Sequence, residues 1–274
     1  MVGTPPNIIV SGVLTSFGYE SFSFFEFAWI GIPLTFVVIA YMMFIGKYLL
    51  PKAELDADQE IEQEIEATVT DSKKQIVSGL ILAVCIIVMA LDLKAISLEM
   101  TAIVGALVCV LTGCLTEKQA YSAIDWVTIF LFAGMMPVSA AMDKTGAGKL
   151  IAEWAVSLMG GSPTPIIMTS VLFIISCTLT QFMSNTAAAA LLAPVGVAIS
   201  QQLGASPKAV LMAIAVAASC AFASPVGTPP NTLVLGPGGY KFMDYVKAGT
   251  GLVIVCFIVS LVVIPIVWPF FPGK

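Results

Sequence analysis

Long runs of apolar residues, separated by short polar or proline-containing breaks, make up most of this chain. Five runs are long enough to read as complete spans, at 27–50, 75–91, 95–115, 126–142 and 248–268. About 20 apolar residues in a helix cross the hydrocarbon core of a bilayer. The pattern therefore predicts an all-α, polytopic membrane protein.

Another apolar stretch, at 165–200, is interrupted in its middle by a polar sequence that centres on Ser184, Asn185 and Thr186. Each arm has roughly 15 to 18 residues, which is short for a complete span. We therefore predict a re-entrant hairpin over 165–200, with these three residues at its tip and a helix beginning at Thr186.

An interrupted helix is predicted at 207–236, with a half-span over 207–222. Pro229 and Pro230 cannot donate backbone hydrogen bonds, so the helix is expected to unwind there and to resume at about Asn231. Irregular backbone at membrane depth is tolerated where it is buried in protein or lines a cavity. The break is thus a candidate site.

The sequence of residues 2–7, Val-Gly-Thr-Pro-Pro-Asn, recurs letter for letter at 226–231. Such duplication is typical of transporters built from two repeats. Residues 1–50 are then the end of a first repeat, and 75–274 form a complete second repeat. A missing N-terminal half, or another chain, would be needed to complete the site.

Two further segments differ from the spans. Residues 51–74 are rich in acids, and we expect a solvated linker there, on the cytoplasmic side because this orientation gathers the larger share of the lysines. Residues 146–159 carry Leu150 and Trp154 on one helical face and a Lys149–Glu153 pair on another, which predicts an interfacial arm helix.

Composition excludes several classes of protein. The chain is 58% hydrophobic and only 11% charged, which rules out a soluble globular protein. It has no histidine, and all of its basic residues are lysines, so neither an imidazole metal site nor a basic nucleic-acid surface is expected. We expect no enzyme and no cofactor, with Na⁺ only as a coupling ion.

The two irregular segments, at Ser184–Thr186 and Gly227–Asn231, carry the candidate chemistry. Unwound carbonyls together with Ser, Thr and Asn oxygens can coordinate Na⁺, while the N-termini of half-helices can hold an anion. A bound cation would supply the positive charge that an arginine-free anion site lacks. The alternative interpretation of Ser184–Thr186 is a helix cap or a contact between helices.

The stretch Ser219–Val234 resembles the signature of the divalent anion/sodium symporter family, which includes sodium:sulfate and sodium:dicarboxylate symporters. The resemblance implies two inverted repeats, each with a Ser-Asn-Thr hairpin tip and a Gly-Thr-Pro-Pro-Asn helix break. It implies that substrate is bound by Ser184, Asn185, Thr186, Thr228 and Pro229, and by Thr4 and Pro5 of the first repeat. For Na⁺ it implies Thr180, Ser184, Asn185, Gly227 and Gly3, to which we add Asn231 as an oxygen-bearing residue of the break.

The candidate site and the resemblance together predict sodium-coupled symport of a small divalent anion such as a dicarboxylate or sulfate, by the elevator-type mechanism that the resemblance implies. The expected protein is a lipid-embedded, multi-pass homodimer of the plasma membrane, which is the inner membrane in a bacterium. A related arsenite or sodium/proton exchanger is one alternative, although the hairpin core has no Asp or Glu for proton coupling. A non-transporting scaffold or half-transporter is another.

Overall fold

A computed structural model describes residues 3–50, 72–91, 98–124, 163–225, 227–235 and 238–271, with separate positions between 126 and 160. The predicted span at 126–142 and arm helix at 146–159 are described only at such positions. Residues 51–71 of the predicted linker lie outside the described residues, and its last three residues, 72–74, are helical. The chain divides into two compact units, one of which contains 55–127 and the other most of the remaining residues.

The described elements are all helices. In chain order they are α1 (Pro5–Ser16), α2 (Ala28–Tyr41), which continues through a π-helical turn (Met42–Gly46) into α3 (Lys47–Leu49), α4 (Ser72–Ala90), α5 (Leu98–Leu111), α6 (Glu117–Ser122), α7 (Pro165–Thr180), α8 (Asn185–Leu203), α9 (Pro207–Ala218), α10 (Pro229–Leu235) and α11 (Phe242–Val267). Four of these stretches are long and apolar enough to cross a membrane: Ala28–Leu49, Lys73–Ala90, Asn185–Leu203 and Phe242–Val267. The predicted fold class is confirmed.

Helix α9 is the core of the larger unit. Every residue from Ala209 to Ala218 is buried, and α9 packs against α1, α7, α8 and α11. Small side chains on α9 and on α8, such as Ala188–Ala190 of α8, let these two helices approach closely. A Cβ on Gly196 of α8 would lie 2.6 Å from the Cδ1 atom of Ile214, which shows how tight this packing is.

The ends of α9, α10 and α11 differ from the sequence prediction. Helix α9 stops at Ala218, so the non-helical segment begins earlier than the Gly-Thr-Pro-Pro-Asn motif. Helix α10 resumes at Pro229 rather than at Asn231, because proline is tolerated in the first turn of a helix, where its missing N–H has no partner in any case. Helix α11 starts six residues before the predicted span, where Asp244 accepts a hydrogen bond from the backbone of Lys241 at 2.8 Å.

The smaller unit is built on α4 and α5, which pack against each other. Cys85 of α4 meets Gly105 of α5, where a side chain in place of the glycine would overlap its sulfur. Thr116 caps α6: the Gln119 backbone N–H donates to Thr116 Oγ1 at 3.3 Å, and the Thr116 backbone N–H donates to Gln119 Oε1 at 2.9 Å. The apolar residues of α4 lie mainly on the surface, as expected for a helix that faces lipid.

Gly249 of α11 provides a test of the break's packing. A Cβ at this position would overlap the carbonyl of Phe222 and lie 2.7 Å from the Cα of Ala223. We expect Gly249→Ala to cost about 1–3 kcal/mol of stability, because the backbone has to shift. The measurement is the thermal unfolding temperature of the purified chain in detergent.

Gly31→Ala in α2 is the matched control, because nothing lies within 4 Å of a Cβ there. It should leave the unfolding temperature unchanged or raise it slightly. Equal unfolding temperatures for the Gly249 and Gly31 variants would contradict the close approach of α11 to residues 222–223.

Candidate functional site

The turn between α7 and α8 presents a short polar sequence between two apolar helices. Helix α7 ends at Thr180 and α8 begins at Asn185. Ser184 caps α8, since its Oγ accepts a hydrogen bond from the Ala187 N–H at 3.2 Å. The capping role offered above as an alternative for this tripeptide is therefore real for Ser184, whose side chain is exposed, while Asn185 and Thr186 are half-buried.

Four polar groups from different parts of the chain converge beside this turn. The Thr180 side chain is fully buried, and its Oγ1 lies 2.6 Å from the Ala218 carbonyl oxygen and 2.7 Å from the Asn185 side-chain amide. The same amide lies 3.1 Å from the Ala218 carbonyl and 3.2 Å from that of Gly227. We call Thr180, Asn185, Ala218 and Gly227 the oxygen cluster.

Hydrogen-bond chemistry determines how the Asn185 amide faces this cluster. Thr180 has a single hydroxyl proton, which it donates to the Ala218 carbonyl. With its nitrogen turned inward, Asn185 donates to Thr180 Oγ1 and to the carbonyls of Ala218 and Gly227. With its oxygen turned inward, it would add another acceptor to three oxygens, an arrangement that needs a cation at its centre.

Gly227 lies in the second copy of the Gly-Thr-Pro-Pro-Asn motif, at residues 227–231, which we call the second break. It brings this break against the α7–α8 turn. An added Cβ would lie 2.7 Å from the Cβ of Ala221 and 3.0 Å from the Thr180 carbonyl oxygen. A side chain there would push the break away from α7. Glycine is therefore required for close approach of the two backbones, which places its own carbonyl within reach of Asn185.

Asn231 holds the break from its far side. Its Nδ2 donates to the carbonyls of Ala221 and Ser224, both at 2.8 Å, and its carbonyl accepts a bond from the Tyr245 hydroxyl at 2.7 Å. The predicted Na⁺ ligand therefore has its side-chain nitrogen engaged in the frame of the break. That role was not foreseen from the sequence.

The first copy of the Gly-Thr-Pro-Pro-Asn motif, at residues 3–7, is called the first break, and it reaches the same region through Thr4. Thr4 Oγ1 lies 3.3 Å from Ser219 Oγ, and Ser219 in turn donates to the Ala215 carbonyl at 2.9 Å. Because the Ser219 proton is used in that bond, the Thr4 hydroxyl is the donor between the two. Thr4 is thus brought next to Ala218, whereas Gly3 and Pro5 beside it are exposed.

The structure therefore unites part of the predicted site and adds to it. Thr180, Asn185 and Gly227 meet, Thr4 lies nearby, and Thr228 is half-buried in the break just before α10. Pro229 is the first residue of α10. Sequence reasoning missed Ala218 and Ser219, which take part through a carbonyl and a hydroxyl, and it gave no role to Gln181, a polar residue inside an apolar stretch.

The site is electrically neutral. Where the structure describes burial, the buried polar side chains carry hydroxyls, mainly of Ser and Thr, and none is Asp, Glu or Lys. The described residues also contain no group of three or more His, Cys, Asp or Glu that could hold a metal ion. The arrangement therefore suits a weakly bound hard cation held by carbonyls and hydroxyls rather than a transition metal.

Long apolar helices and non-helical segments that meet at a polar, neutral cluster are features of a multi-pass membrane protein. The sequence profile of the citrate transporter family matches residues 1–93 and 87–272. The chain belongs to this family, within the divalent anion/sodium symporters, and is a multi-pass protein of the plasma membrane; its family and its relatives are transporters, not enzymes.

Three relatives illustrate the similarity. An uncharacterised transporter of Haemophilus influenzae is 33% identical over 94% of this chain and 57% of its own length. One of Escherichia coli K12 is 42% identical over 61% of this chain and 28% of its own. The sodium-dependent dicarboxylate transporter SdcS of Staphylococcus aureus is 25% identical over 100% of this chain and 56% of its own. The chain thus spans about half the length, or less, of these relatives.

Thr180→Val tests the oxygen cluster. The substitution keeps the shape of the side chain but removes the donor to the Ala218 carbonyl and the acceptor for Asn185. We expect a loss of about 1–3 kcal/mol, because buried polar groups are left without partners. Thr178→Val, at an exposed position of the same helix, is the control. Thermal unfolding in detergent should separate the two variants, and similar unfolding temperatures would contradict the cluster.

Proposed function

We propose that this chain forms the second-repeat sodium site, and part of the anion site, of a sodium-coupled symporter for a small divalent anion such as a dicarboxylate or sulfate. The observation that carries the proposal is the oxygen cluster at the α7–α8 turn. Three oxygens from three segments surround the Asn185 amide, with Thr180 Oγ1 at 2.7 Å and the Ala218 and Gly227 carbonyls at 3.1 and 3.2 Å.

A sodium ion would lie among the Thr180, Ala218 and Gly227 oxygens, and the Asn185 side chain would move back to make room for it. Asn185 would then turn its oxygen inward and become a fourth ligand with Thr180, Ala218 and Gly227. The amide nitrogen satisfies the same oxygens when no ion is bound, so the cluster holds together in both states. Ser184 and Asn231 are the other predicted ligands of this second-repeat ion and would complete its surroundings. Gly3 would serve the equivalent ion site of the first repeat.

The anion would lie next to the ion, against the N-terminus of α8. The first N–H groups of a helix have no partners within it, and the helix dipole favours negative charge there. Asn185 and Thr186 are in that first turn, and Ser184 caps it. Thr228 and Pro229 would contribute from the second break, and Thr4 and Pro5 from the first.

Coupling follows from the neutrality of the site. An anion in surroundings without a buried basic side chain is bound weakly until a cation supplies positive charge, and the cation likewise gains from the anion. By linkage, each ligand raises the affinity for the other by the same factor. The relative SdcS, named as a sodium-dependent dicarboxylate transporter, supports this assignment.

Every predicted site residue lies in the larger compact unit. We propose that the hairpin and the helix breaks that carry these residues move together in an elevator-type cycle, against the scaffold spans and the arm helix. A complete substrate site also requires the Ser-Asn-Thr hairpin of a first repeat, which would come from the preceding part of a longer protein or from another chain. A homodimer remains part of the proposal. The buried hydroxyls of the site offer no support for a proton exchanger, which needs an ionisable group.

Transport is tested with proteoliposomes that contain either this chain or this chain joined to the segment that precedes the matched region in the Haemophilus influenzae relative. Uptake of labelled succinate and sulfate is measured with Na⁺ and with Na⁺ replaced by K⁺ or choline. We expect Na⁺-dependent uptake by the extended protein alone. Uptake that is indifferent to Na⁺ would contradict sodium coupling, and no uptake by either would favour the scaffold or half-transporter alternative.

Cation binding can be tested on the chain itself, because the whole oxygen cluster lies within it. We expect NaCl to raise the thermal unfolding temperature in detergent more than KCl or choline chloride at equal ionic strength. Asn185→Ala should abolish this difference, while Gln201→Ala, at an exposed residue, should preserve it. Stabilisation by all three salts alike would count against a sodium site.

A further inference from the structure

We propose that Gln181 is a positioning residue that sets the cation selectivity of the oxygen cluster, an inference that rests on the sodium site proposed above. Gln181 follows Thr180 directly, at the C-terminal end of α7. Its side chain makes three well-formed hydrogen bonds to main-chain groups. Nε2 donates to the carbonyls of Cys177 at 2.9 Å and Cys220 at 3.0 Å, and Oε1 accepts from the Ala223 N–H at 3.1 Å.

These bonds connect two different parts of the chain. Cys177 belongs to α7, on which Gln181 itself is anchored, whereas Cys220 and Ala223 belong to the non-helical segment that follows α9. One amide thus satisfies a donor and an acceptor of that segment. Asn231 binds the same segment through Ala221 and Ser224. The segment is therefore held by two amides, Gln181 on the α7 side and Asn231 on the α10 side.

The position of this segment fixes two members of the oxygen cluster. Ala218 lies two residues before Cys220, so its carbonyl moves with the segment's start. Gly227 lies close to both Ala221 of the segment and Thr180. A Cβ at position 227 would lie 2.7 Å from the Cβ of Ala221 and 3.0 Å from the Thr180 carbonyl oxygen. Gln181 thus sets the separation between Thr180 on one side and the Ala218 and Gly227 carbonyls on the other, without contacting the ion.

Selectivity between hard cations depends on the size and rigidity of the oxygen cavity. A cluster held at fixed spacing favours one ionic radius, whereas a loosened cluster adapts to several. Partners that orient metal ligands typically change affinity by about 10- to 100-fold when they are removed. Loss of the Gln181 bonds should therefore weaken Na⁺ binding more than Li⁺ binding and narrow the preference between them.

The test uses Gln181→Met, which keeps the length of the side chain without its polar atoms. Half-saturating concentrations of Na⁺ and Li⁺ are read from thermal stabilisation of the purified chain, with choline keeping the ionic strength constant. We expect the Na⁺ value to rise about tenfold or more and the ratio of the Na⁺ and Li⁺ values to move toward one. A purely structural role would lower the unfolding temperature without changing that ratio.

Gln201→Met is the matched control, because Gln201 is exposed and donates to the Tyr19 hydroxyl at 3.4 Å. If Gln181→Met fails to fold, Gln181→Asn carries the test, since its shorter amide cannot reach Cys220 and Ala223 together. An unchanged Na⁺-to-Li⁺ ratio in the variant that folds would overturn the inference while leaving the sodium site intact. Absence of any Na⁺ response in the unaltered chain would instead overturn the sodium site, and the role of Gln181 with it.

Discussion

The need to satisfy backbone polar groups inside an apolar protein underlies the whole candidate site. At residues 219–225 and 227–228 the chain is not helical, although it lies within a tightly packed body where an unpaired carbonyl or N–H costs free energy. Side-chain amides supply the missing partners: Asn231 binds Ala221 and Ser224, and Gln181 binds Cys220 and Ala223. The break is therefore a built structure with defined oxygen positions, and this order makes a coordination site possible.

Close packing of small residues gives the same region its rigidity. Helix α9 is buried along nearly its whole length, and its alanines allow α1, α7 and α8 to approach closely. Glycines at positions 227 and 249 extend this contact to the break itself. The backbone at Gly227 and the backbone of α11 at Gly249 both lie tightly against their neighbours, so the Ala218 and Gly227 carbonyls stay close to Thr180 and Asn185.

The absence of buried charge in the described core gives the site its functional character. Hydroxyls, amides and carbonyls can hold a weakly bound ion, and they leave electrostatic compensation to the ligands themselves. Membership of the citrate transporter family agrees with such a site, because citrate is a small anion. Thr4, from the first break, meets Ser219 at the end of α9, so the two duplicated motifs converge on one region.

The sequence by itself determined the all-α membrane fold and the two duplicated motifs, and it located Ser184, Asn185 and Thr186 at a polar interruption between two apolar stretches. Apolar run length and proline chemistry are local properties, so they can be read without coordinates. Only the tertiary structure decided that the break begins at Ser219, that α10 resumes at Pro229 and that Asn231 braces the backbone. Residues 219–223 carry no helix-breaking pattern, and they are held in a non-helical form by partners such as Gln181, which lies about 40 residues away in the chain. Main-chain carbonyls such as that of Ala218 carry no sequence signal, because every residue has one.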